Sequence, residues 1–311
     1  MQGLVLQSTG SWYKVLTNHG QEIECRLKGK MRQEDIESTN PVAVGDEVML
    51  EQEDGFDTAS ITEVLTRRNY IIRQSPRKKW QKHIIAANID QALLMITFTE
   101  PRTSLGFIDR YLLTAAMYEI PAVLIFNKYD AYKKKDLRLL QEALKIYEPL
   151  GYKCLTVSAL TGQGLPEMEQ VMKDKISLIS GHSGVGKSTL VNAISPQLNL
   201  ATNQISTFSG KGMHTTTFAC MYKMPMGGFI IDTPGIKEFG IVYTEPEEIS
   251  HYFPEMLPLL PNCKYANCLH RNEQQCAVKQ AVETGKIAES RYNSYLRIVE
   301  DAEAINYWER D

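Results

Sequence analysis

The segment 181–188 constrains the fold of this chain more than any other stretch, because it reads G-x-x-x-x-G-K-S. Glycines at these positions let the backbone bend so that successive N–H groups can face phosphate oxygens. An apolar run, 176–179, precedes the segment, and a helical pattern, 188–194, follows it. The positive end of such a helix stabilises a phosphate group. The segment is therefore predicted to be a phosphate-binding loop between a buried strand and a helix.

The side chains of this loop indicate specific contacts with a nucleotide. Lys187 is expected to bridge the β- and γ-phosphates, and the Ser188 hydroxyl is expected to be a ligand of Mg²⁺. The other predicted contacts lie along the loop, at Gly181, His182, Ser183, Gly184, Val185, Gly186 and Thr189. A phosphate loop alone leaves the choice between ATP and GTP open.

Two upstream motifs favour guanine as the base. Asn127, Lys128 and Asp130 form the pattern N-K-x-D, and Ser158 with Ala159 forms the short S-A element that supports it. The Asp130 carboxylate can accept hydrogen bonds from two N–H groups on the guanine edge, an arrangement that adenine does not offer. Asn127 is expected to polarise the other edge of the base, and the Lys128 stem is expected to cover the ring. Together these motifs predict binding of GTP and GDP.

The fourth motif, D-x-x-G, comes last in the chain and reveals a reordering. Asp232 is expected to hold Mg²⁺ through a water molecule, while the Gly235 N–H meets the γ-phosphate. An ordinary GTPase begins with the phosphate loop and ends with S-A, whereas here N-K-x-D and S-A come first. Apolar runs precede all four motifs, at 122–126, 153–157, 176–179 and 229–231. Strands in parallel sheets look like this and bring their carboxyl ends to one edge, so a circular permutation would leave one intact site.

The residues expected to act in catalysis include one gap. The residue after D-x-x-G is Ile236, whose aliphatic side chain cannot hydrogen-bond an attacking water, so slow intrinsic hydrolysis is expected. His214 is the best candidate to position that water, and the alternative is that it packs or caps its loop. One of Thr215 and Thr216 is expected to ligate Mg²⁺; Thr216 is favoured, and the choice stays open. The predicted catalytic residues are His214, Thr216, Asp232 and Lys187.

Length and charge set the broad class of the protein. The 311 residues fit two or three domains, and the formal net charge is −3. No basic region followed by an apolar stretch opens the chain, and its apolar runs are too short for a membrane span. A cytoplasmic protein without membrane contact is expected.

One basic segment stands out against an acidic N-terminal part. Residues 1–66 contain five Lys/Arg and twelve Asp/Glu, whereas 67–82 contain seven Lys/Arg and no acid. Tyr70 and Trp80 lie among these cations, which makes the segment a candidate for binding RNA phosphates. The alternative is an ordinary solvated linker between domains.

The acidic part has the pattern of a small antiparallel barrel. Short β-rich runs separated by turn residues occupy 3–8, 12–17, 22–27, 47–51 and 59–65. The long third connection favours an OB-fold, a barrel that often binds oligonucleotides. A purely structural barrel is the alternative.

The C-terminal part contains a metal-ligand pattern, with the ligands Cys263, Cys268, His270 and Cys276. Three thiolates and one imidazole are the soft ligand set of a closed tetrahedral zinc site, so a structural zinc ion is predicted. The other cysteines, Cys25, Cys154 and Cys220, lie in strand-like runs and are expected to be buried thiols.

Two helices are predicted after the cysteine cluster, at about 277–283 and 288–304. Tyr292, Tyr295, Leu296 and Val299 share one face of the second helix and are expected to pack. Arg291 and Arg297 are expected to be exposed, which leaves contact with RNA open.

This order of modules resembles the ribosome small-subunit-dependent GTPase A family over essentially the whole chain. Further matching segments are 86–91, 108–112 and 212–217. The resemblance implies an α/β fold with an N-terminal OB-fold (1–68), a circularly permuted P-loop GTPase domain (69–240) and a mostly helical zinc-binding domain (241–311). It also implies a bacterial cytoplasmic factor that is a monomer and binds the 30S subunit and 16S rRNA. Such a factor would hydrolyse GTP to GDP in response to the subunit, late in its maturation.

Two other classes of function compete with this one. An RNA-binding scaffold could retain a vestigial nucleotide site, but intact Lys187, Ser188 and Asp232 argue against it. A small-molecule kinase or phosphatase could use the same phosphate loop. The N-K-x-D motif disfavours that reading, because such enzymes rarely need to select guanine.

Overall fold

A computed structural model of the chain describes residues 1–28, 41–52, 55, 57–74, 82–200, 219–232 and 244–307. The first five strands are β1 Gln2–Ser8, β2 Tyr13–Thr17, β3 Glu22–Leu27, β4 Glu47–Gln52 and β5 Thr58–Val64. Strand β1 pairs with both β2 and β4, and β3 pairs with β5 in parallel, which closes the five strands into a barrel. Val5, Tyr13, Val15, Val48 and Ile61 fill its core. The predicted OB-type barrel is confirmed.

A hairpin connects the barrel to the central sheet. Its strands are β6 Tyr70–Gln74 and β7 Lys82–Ala87, which pair antiparallel. A parallel bridge between Val44 and Ala86 attaches the hairpin to the barrel. The basic segment is therefore paired in a hairpin at 70–74 and 82, while residues 75–81, with three of the seven cations, lie outside the described residues.

The central sheet has the parallel core that the apolar runs predict. Its strands are β8 Gln91–Ile96, β9 Ala122–Phe126, β10 Lys153–Thr156, β11 Ile176–Ser180, β12 Cys220–Lys223 and β13 Phe229–Asp232. Their order is β10-β9-β8-β11-β13-β12, and only β12 is antiparallel to its neighbour. Every residue of β8 is buried, as expected for a strand covered on both faces. The carboxyl ends of β9, β10, β11 and β13 therefore meet at one edge.

Within the described residues, four helices cover this sheet: α1 Leu105–Met117, α2 Lys134–Tyr147, α3 Leu165–Met172 and α4 Lys187–Ile194. The hydroxyl of Ser104 caps α1 by accepting a hydrogen bond from the Phe107 N–H, which fixes where the helix begins. Helix α4 begins inside the G-x-x-x-x-G-K-S segment, as predicted. The barrel joins the far side of the sheet, where Gln7 of β1 pairs with Cys220 of β12.

Buried and half-exposed ion pairs hold the barrel and hairpin in place. Arg67 binds both carboxylate oxygens of Asp46 at 2.6 Å, and the two side chains are 6% and 0% exposed. Arg68 donates to Asp90 at 2.9 Å from a more exposed position. Arg67 is thus unavailable to a phosphate, and for this residue the predicted RNA contact is wrong, because an acid from the barrel already neutralises it.

The C-terminal part is mostly helical. Two 3-10 segments, Pro246–Tyr252 and Leu257–Asn262, precede α5 Ala277–Glu283 and α6 Glu289–Tyr307. Both predicted helices are confirmed, and α6 packs against α1 of the central domain around Leu113. None of the described helices combines the length and the hydropathy that crossing a bilayer requires.

Candidate nucleotide-binding site and metal centre

One asparagine side chain joins three of the predicted motifs at the edge of the sheet. Asn127 follows β9 and is buried. Its amide nitrogen donates to the Val185 carbonyl of the phosphate loop at 2.9 Å, and its amide oxygen accepts from the Ala159 N–H at 3.2 Å. The structure therefore brings N-K-x-D, S-A and G-x-x-x-x-G-K-S together although they are separated along the chain.

Two glycines of the phosphate loop permit this close approach. Gly186 has a φ of 98°, and a Cβ atom there would lie 2.4 Å from the Asn127 amide nitrogen. Gly181 has a φ of 141°, and a Cβ atom there would lie 2.6 Å from the Met95 carbonyl oxygen. A side chain at either position would both strain the backbone and collide with its neighbour. The loop sequence is thus matched to the strands beneath it.

The predicted guanine-binding side chains lie on an exposed part of the same edge. The Ser158 hydroxyl donates to the carboxylate of Asp130 and accepts from the Thr161 N–H at 3.1 Å. Asp130 itself is exposed, so its carboxylate has acceptor capacity left for a ligand. The Lys128 ammonium donates to the Glu100 carbonyl at 2.7 Å, a contact that sequence reasoning did not foresee.

The phosphate loop places its lysine and serine differently. The Lys187 ammonium donates to the carbonyls of Gly181 and His182 at 2.7 and 2.9 Å, so it spans the loop from within. The Ser188 hydroxyl is buried and has no hydrogen-bond partner among the described residues. A buried hydroxyl without a partner is costly and uncommon. Its position at the start of α4 fits the predicted role of a Mg²⁺ ligand.

The remaining residues of the loop lie around this centre. Ser183, Gly184 and Thr189 are exposed, and His182 is half-buried. The His182 ring packs on the ring of Phe107 from α1, with 3.9 Å between ring centroids. Phe107 was missed by sequence reasoning, because nothing in the chain order relates 107 to 182.

The fourth motif is described only in part. Asp232 is the last residue of β13, paired in register with Ile179 and Cys220, so its backbone reaches the same edge. His214, Thr215, Thr216 and Gly235, together with Ile236, lie outside the described residues. Their assignments stay predictions.

The four predicted metal ligands form one cluster. Their ligand atoms all lie within 4.8 Å of one another. The His270 Nδ1 atom is 3.3 Å from the Cys276 sulfur and 3.7 Å from the Cys263 sulfur, and these two sulfurs are 4.0 Å apart. Bond lengths of about 2.3 Å to sulfur and about 2.1 Å to nitrogen separate tetrahedral ligand atoms by about 3.5–3.8 Å. The cluster therefore has the size of a tetrahedral metal site.

Neighbouring groups hold the ligands of this cluster in position. Tyr292 of α6 donates to the His270 carbonyl at 2.6 Å, and Glu273 accepts from the Leu269 and Arg271 N–H groups at 2.7 Å. Burial raises the pKa of the Cys268 thiol to about 12, so a thiolate there needs a cation beside it. The donor set and its surroundings fit a bound metal ion.

Arg291 differs from its predicted exposure. It is 2% exposed and donates to Asp109 at 2.8 Å and to Glu255 at 2.6 and 3.1 Å. Burial lowers its pKa, but Asp109 and Glu255 raise it by more, so the guanidinium stays charged. The prediction of an exposed Arg291 is wrong, whereas Arg297 is exposed. A usable signal existed, because 291 shares a helix face with 295, 298 and 302, all of which are buried.

A parallel sheet that carries N-K-x-D and S-A ahead of the phosphate loop, with all of them at one edge, defines a circularly permuted GTPase. The chain matches the RsgA GTPase family over residues 64–242 and the RsgA N-terminal domain over residues 2–59. It therefore belongs to the RsgA family and is a GTPase.

Relatives and solved structures agree with this assignment. The chain is 51% identical over 309 residues to a protein of Bacteroides fragilis, with 99% of each chain covered, and 52% identical over 305 residues to one of Flavobacterium psychrophilum, with 96% and 93% covered. Both are named small ribosomal subunit biogenesis GTPase RsgA. The crystal structure of YjeQ from Thermotoga maritima matches with a TM-score of 0.80 at 36% identity, covering 97% and 98% of the chains. The structure of YloQ, a circularly permuted GTPase, matches with a TM-score of 0.76 at 28% identity, covering 97% and 95%.

Proposed function

We propose that this GTPase acts in biogenesis of the small ribosomal subunit, where it binds the 30S particle and hydrolyses GTP to GDP late in maturation. The observation that carries the nucleotide site is the pair of hydrogen bonds of the Asn127 amide, which donates to the Val185 carbonyl and accepts from the Ala159 N–H. These bonds hold the N-K-x-D motif and the phosphate loop side by side at one edge of the sheet. The names of the relatives support the ribosomal role.

The base binds between the two upstream motifs. Asp130 accepts from the guanine N–H groups, Asn127 polarises the opposite edge, and the Lys128 stem covers one face of the ring. The backbone of Ser158 and Ala159 completes the pocket. Leu160, which follows them and is 81% exposed, offers an apolar surface beside the base.

The phosphates bind in the loop 181–189. Its backbone N–H groups face the phosphate oxygens, and the Lys187 ammonium exchanges the Gly181 and His182 carbonyls for the β- and γ-phosphates. Ser188 and Asp232, with Thr216 or Thr215, would hold the Mg²⁺ ion, which neutralises phosphate charge when bound. The Gly235 N–H meets the γ-phosphate.

Hydrolysis is slow in the isolated protein because Ile236 cannot orient water. His214 positions the attacking water when the 30S subunit is bound. Loss of the γ-phosphate frees Gly235, and the segment after it leads directly to the C-terminal domain, so the nucleotide state is transmitted along the chain.

The flanking domains hold RNA and metal. The barrel (1–68) and the metal-binding domain (241–311) contact 16S rRNA on either side of the GTPase domain (69–240). Cys263, Cys268, His270 and Cys276 hold one structural zinc ion, supported by the size of the cluster and by its thiol-rich donor set. The protein acts as a monomer in the cytoplasm.

Measuring GTP turnover with and without 30S subunits tests this function. Slow turnover that rises with 30S particles is the expected result. GTP binding without turnover in either condition would instead indicate a scaffold. Transfer of the γ-phosphate to a small molecule would indicate a kinase. Fast turnover that ignores the subunit would contradict the ribosomal role.

A further inference from the structure

One face of helix α1 contacts the phosphate loop. Phe107 packs on His182, the second residue of the loop. Tyr111, one helical turn later, is buried with its hydroxyl beside that of Ser180, the residue immediately before Gly181. Residues four positions apart share a helix face, so this pair holds both the beginning of the loop and the strand that leads into it.

Another face of the same helix contacts the C-terminal domain. Asp109 accepts from Arg291 of α6 at 2.8 Å, and these side chains are 0% and 2% exposed. Arg110 binds Asp301, also of α6, at 2.5 Å. Leu113, one turn after Asp109, belongs to the apolar core of the C-terminal domain. The two sets of contacts interleave along α1, since Asp109 and Arg110 lie between Phe107 and Tyr111.

The buried ion pair between Asp109 and Arg291 is held by further hydrogen bonds. Asp109 also accepts from the Tyr147 hydroxyl at 2.6 Å, and Arg291 also binds Glu255. Each charge thus has a further partner, on α2 for Asp109 and between the two 3-10 segments for Arg291, and these partners hold in place the ion pair that joins α1 to α6. Packed interiors transmit displacements because they contain little free volume. A shift of α6 therefore moves Phe107 relative to the phosphate loop.

We propose that α1 couples the phosphate loop to the C-terminal domain, and that Arg291 is a positioning residue for nucleotide binding although it lies outside the nucleotide site. The inference rests on the proposed nucleotide binding at 181–188. Coupling between two sites is reciprocal. A guanine nucleotide therefore stabilises the packing of α6, and disrupting that packing weakens nucleotide binding.

Coupling through α1 is distinct from coupling through the chain segment that follows the D-x-x-G motif. Residues 236–240 connect the D-x-x-G motif to the C-terminal domain, whereas the α1 route runs through side chains on both faces of one helix. Phe107 belongs only to the α1 route. A change there separates the two.

Hydrogen exchange of the full-length protein with and without GDP tests the coupling in the wild type. We expect GDP to slow amide exchange in the phosphate loop, in α1 and in α6 around Arg291, by at least threefold in α6. Protection of the loop without any effect in α6 would overturn the coupling and leave the nucleotide site intact. An absence of protection everywhere would overturn both the proposed site and the coupling.

Variants then assign the coupling to α1. Phe107→Ala should abolish the protection of α6 at saturating GDP while the loop stays protected, and Phe107→Tyr, which keeps the ring, should retain it. Equal α6 protection in Phe107→Ala and the wild type would overturn the α1 route.

Arg291 is tested through the rate of GDP release. Arg291→Met should speed release of fluorescent GDP about fivefold, at the lower end of typical allosteric couplings. Arg297→Met, on the exposed side of the same helix, should release GDP at the wild-type rate. In the double variant that also carries Phe107→Ala, the combined change in the rate of GDP release should be smaller than the sum of the changes in the two single variants, expressed as free energies. Wild-type release from a zinc-loaded, folded Arg291→Met protein, or strict additivity, would overturn the role of Arg291.

Discussion

The side-chain amide of Asn127 donates a hydrogen bond of 2.9 Å to the backbone carbonyl of Val185, which lies 58 residues further along the chain. The same side chain accepts from the Ala159 N–H. The order of motifs along the chain is therefore irrelevant to the geometry of the site, because strand order and these hydrogen bonds bring them together. The circular permutation changes only which segments of the chain precede and follow each motif of the site.

Replacing Asn127 tests this junction. Asn127→Ala leaves the buried Val185 carbonyl and the Ala159 N–H without their partner, at a cost of about 1–3 kcal/mol for each group. We expect GTP affinity to fall by about 10- to 100-fold in a fluorescence titration. Asn69→Ala is the matched control, since Asn69 also bridges backbone groups through both amide atoms but at Ile89, away from the edge. Equal effects of the two variants would contradict the assignment.

The base specificity assigned to Asp130 predicts an exchange of preference. Asp130→Asn presents an amide donor where the carboxylate accepted, so GTP should bind much more weakly and xanthosine nucleotides should be favoured. A competition assay with both nucleotides measures the change. Unchanged selectivity would remove 127–130 from the base-binding site.

Zinc removal should act mainly on the C-terminal domain. We expect one zinc ion per chain, and chelation should unfold residues 244–307 because metal binding supplies the folding energy of so small a module. GTP should still bind, with the roughly fivefold loss that coupling through α1 implies. Elemental analysis and circular dichroism provide the measurements. Cys268→Ser should behave like the chelated protein, whereas Cys154→Ser, outside the cluster, should behave like the wild type. A wild-type protein that is stable without metal would contradict the assignment of the cluster as a zinc site.

The buried pair of Arg67 and Asp46 predicts a large and local loss of stability. Arg67→Met leaves Asp46, which is 0% exposed, without its counter-charge, and should destabilise the protein by about 3–5 kcal/mol. Arg68→Met breaks a pair in which the arginine is 60% exposed, and should cost no more than about 1 kcal/mol. Urea titrations of both variants compare them directly. Similar unfolding midpoints for the two variants would contradict the predicted difference in stability between the buried and the exposed ion pair.

Activation by the ribosomal subunit is the remaining prediction. We expect GTP hydrolysis to rise at least ~10-fold with 30S particles, which corresponds to about 1.4 kcal/mol of barrier. His214→Ala should lose most of that rise while keeping GTP affinity, because the side chain would act in the transition state. Added salt should weaken subunit binding steeply if Lys and Arg contact phosphates. A normal rise in the His214 variant would exclude that residue alone, whereas fast turnover without subunits would exclude activation.

Local pattern was sufficient where one element carries its own signal. The apolar run before Asn127 identified a strand buried on both faces, and glycines at 181 and 186 identified a loop with unusual backbone angles. The ligand spacing from Cys263 to Cys276 identified a compact metal cluster in the same way. In each case the residues that define the feature are neighbours in sequence, so their chemistry can be read without knowing the fold.

Only the tertiary structure decided which distant residues meet. The helix face that Arg291 shares with Tyr295 and Ile298 signalled burial, but only the structure identifies Asp109 as the partner that compensates it. Arg67 was likewise neutralised by Asp46, and Phe107 was placed against His182. The partner of a buried charge or of an aromatic ring depends on how helices and strands that are distant in sequence pack together. The periodicity of one helix or strand does not reveal which element packs against it. The sequence by itself thus determined the chemistry of the site, while tertiary packing determined which cations face solvent and which hold the domains together.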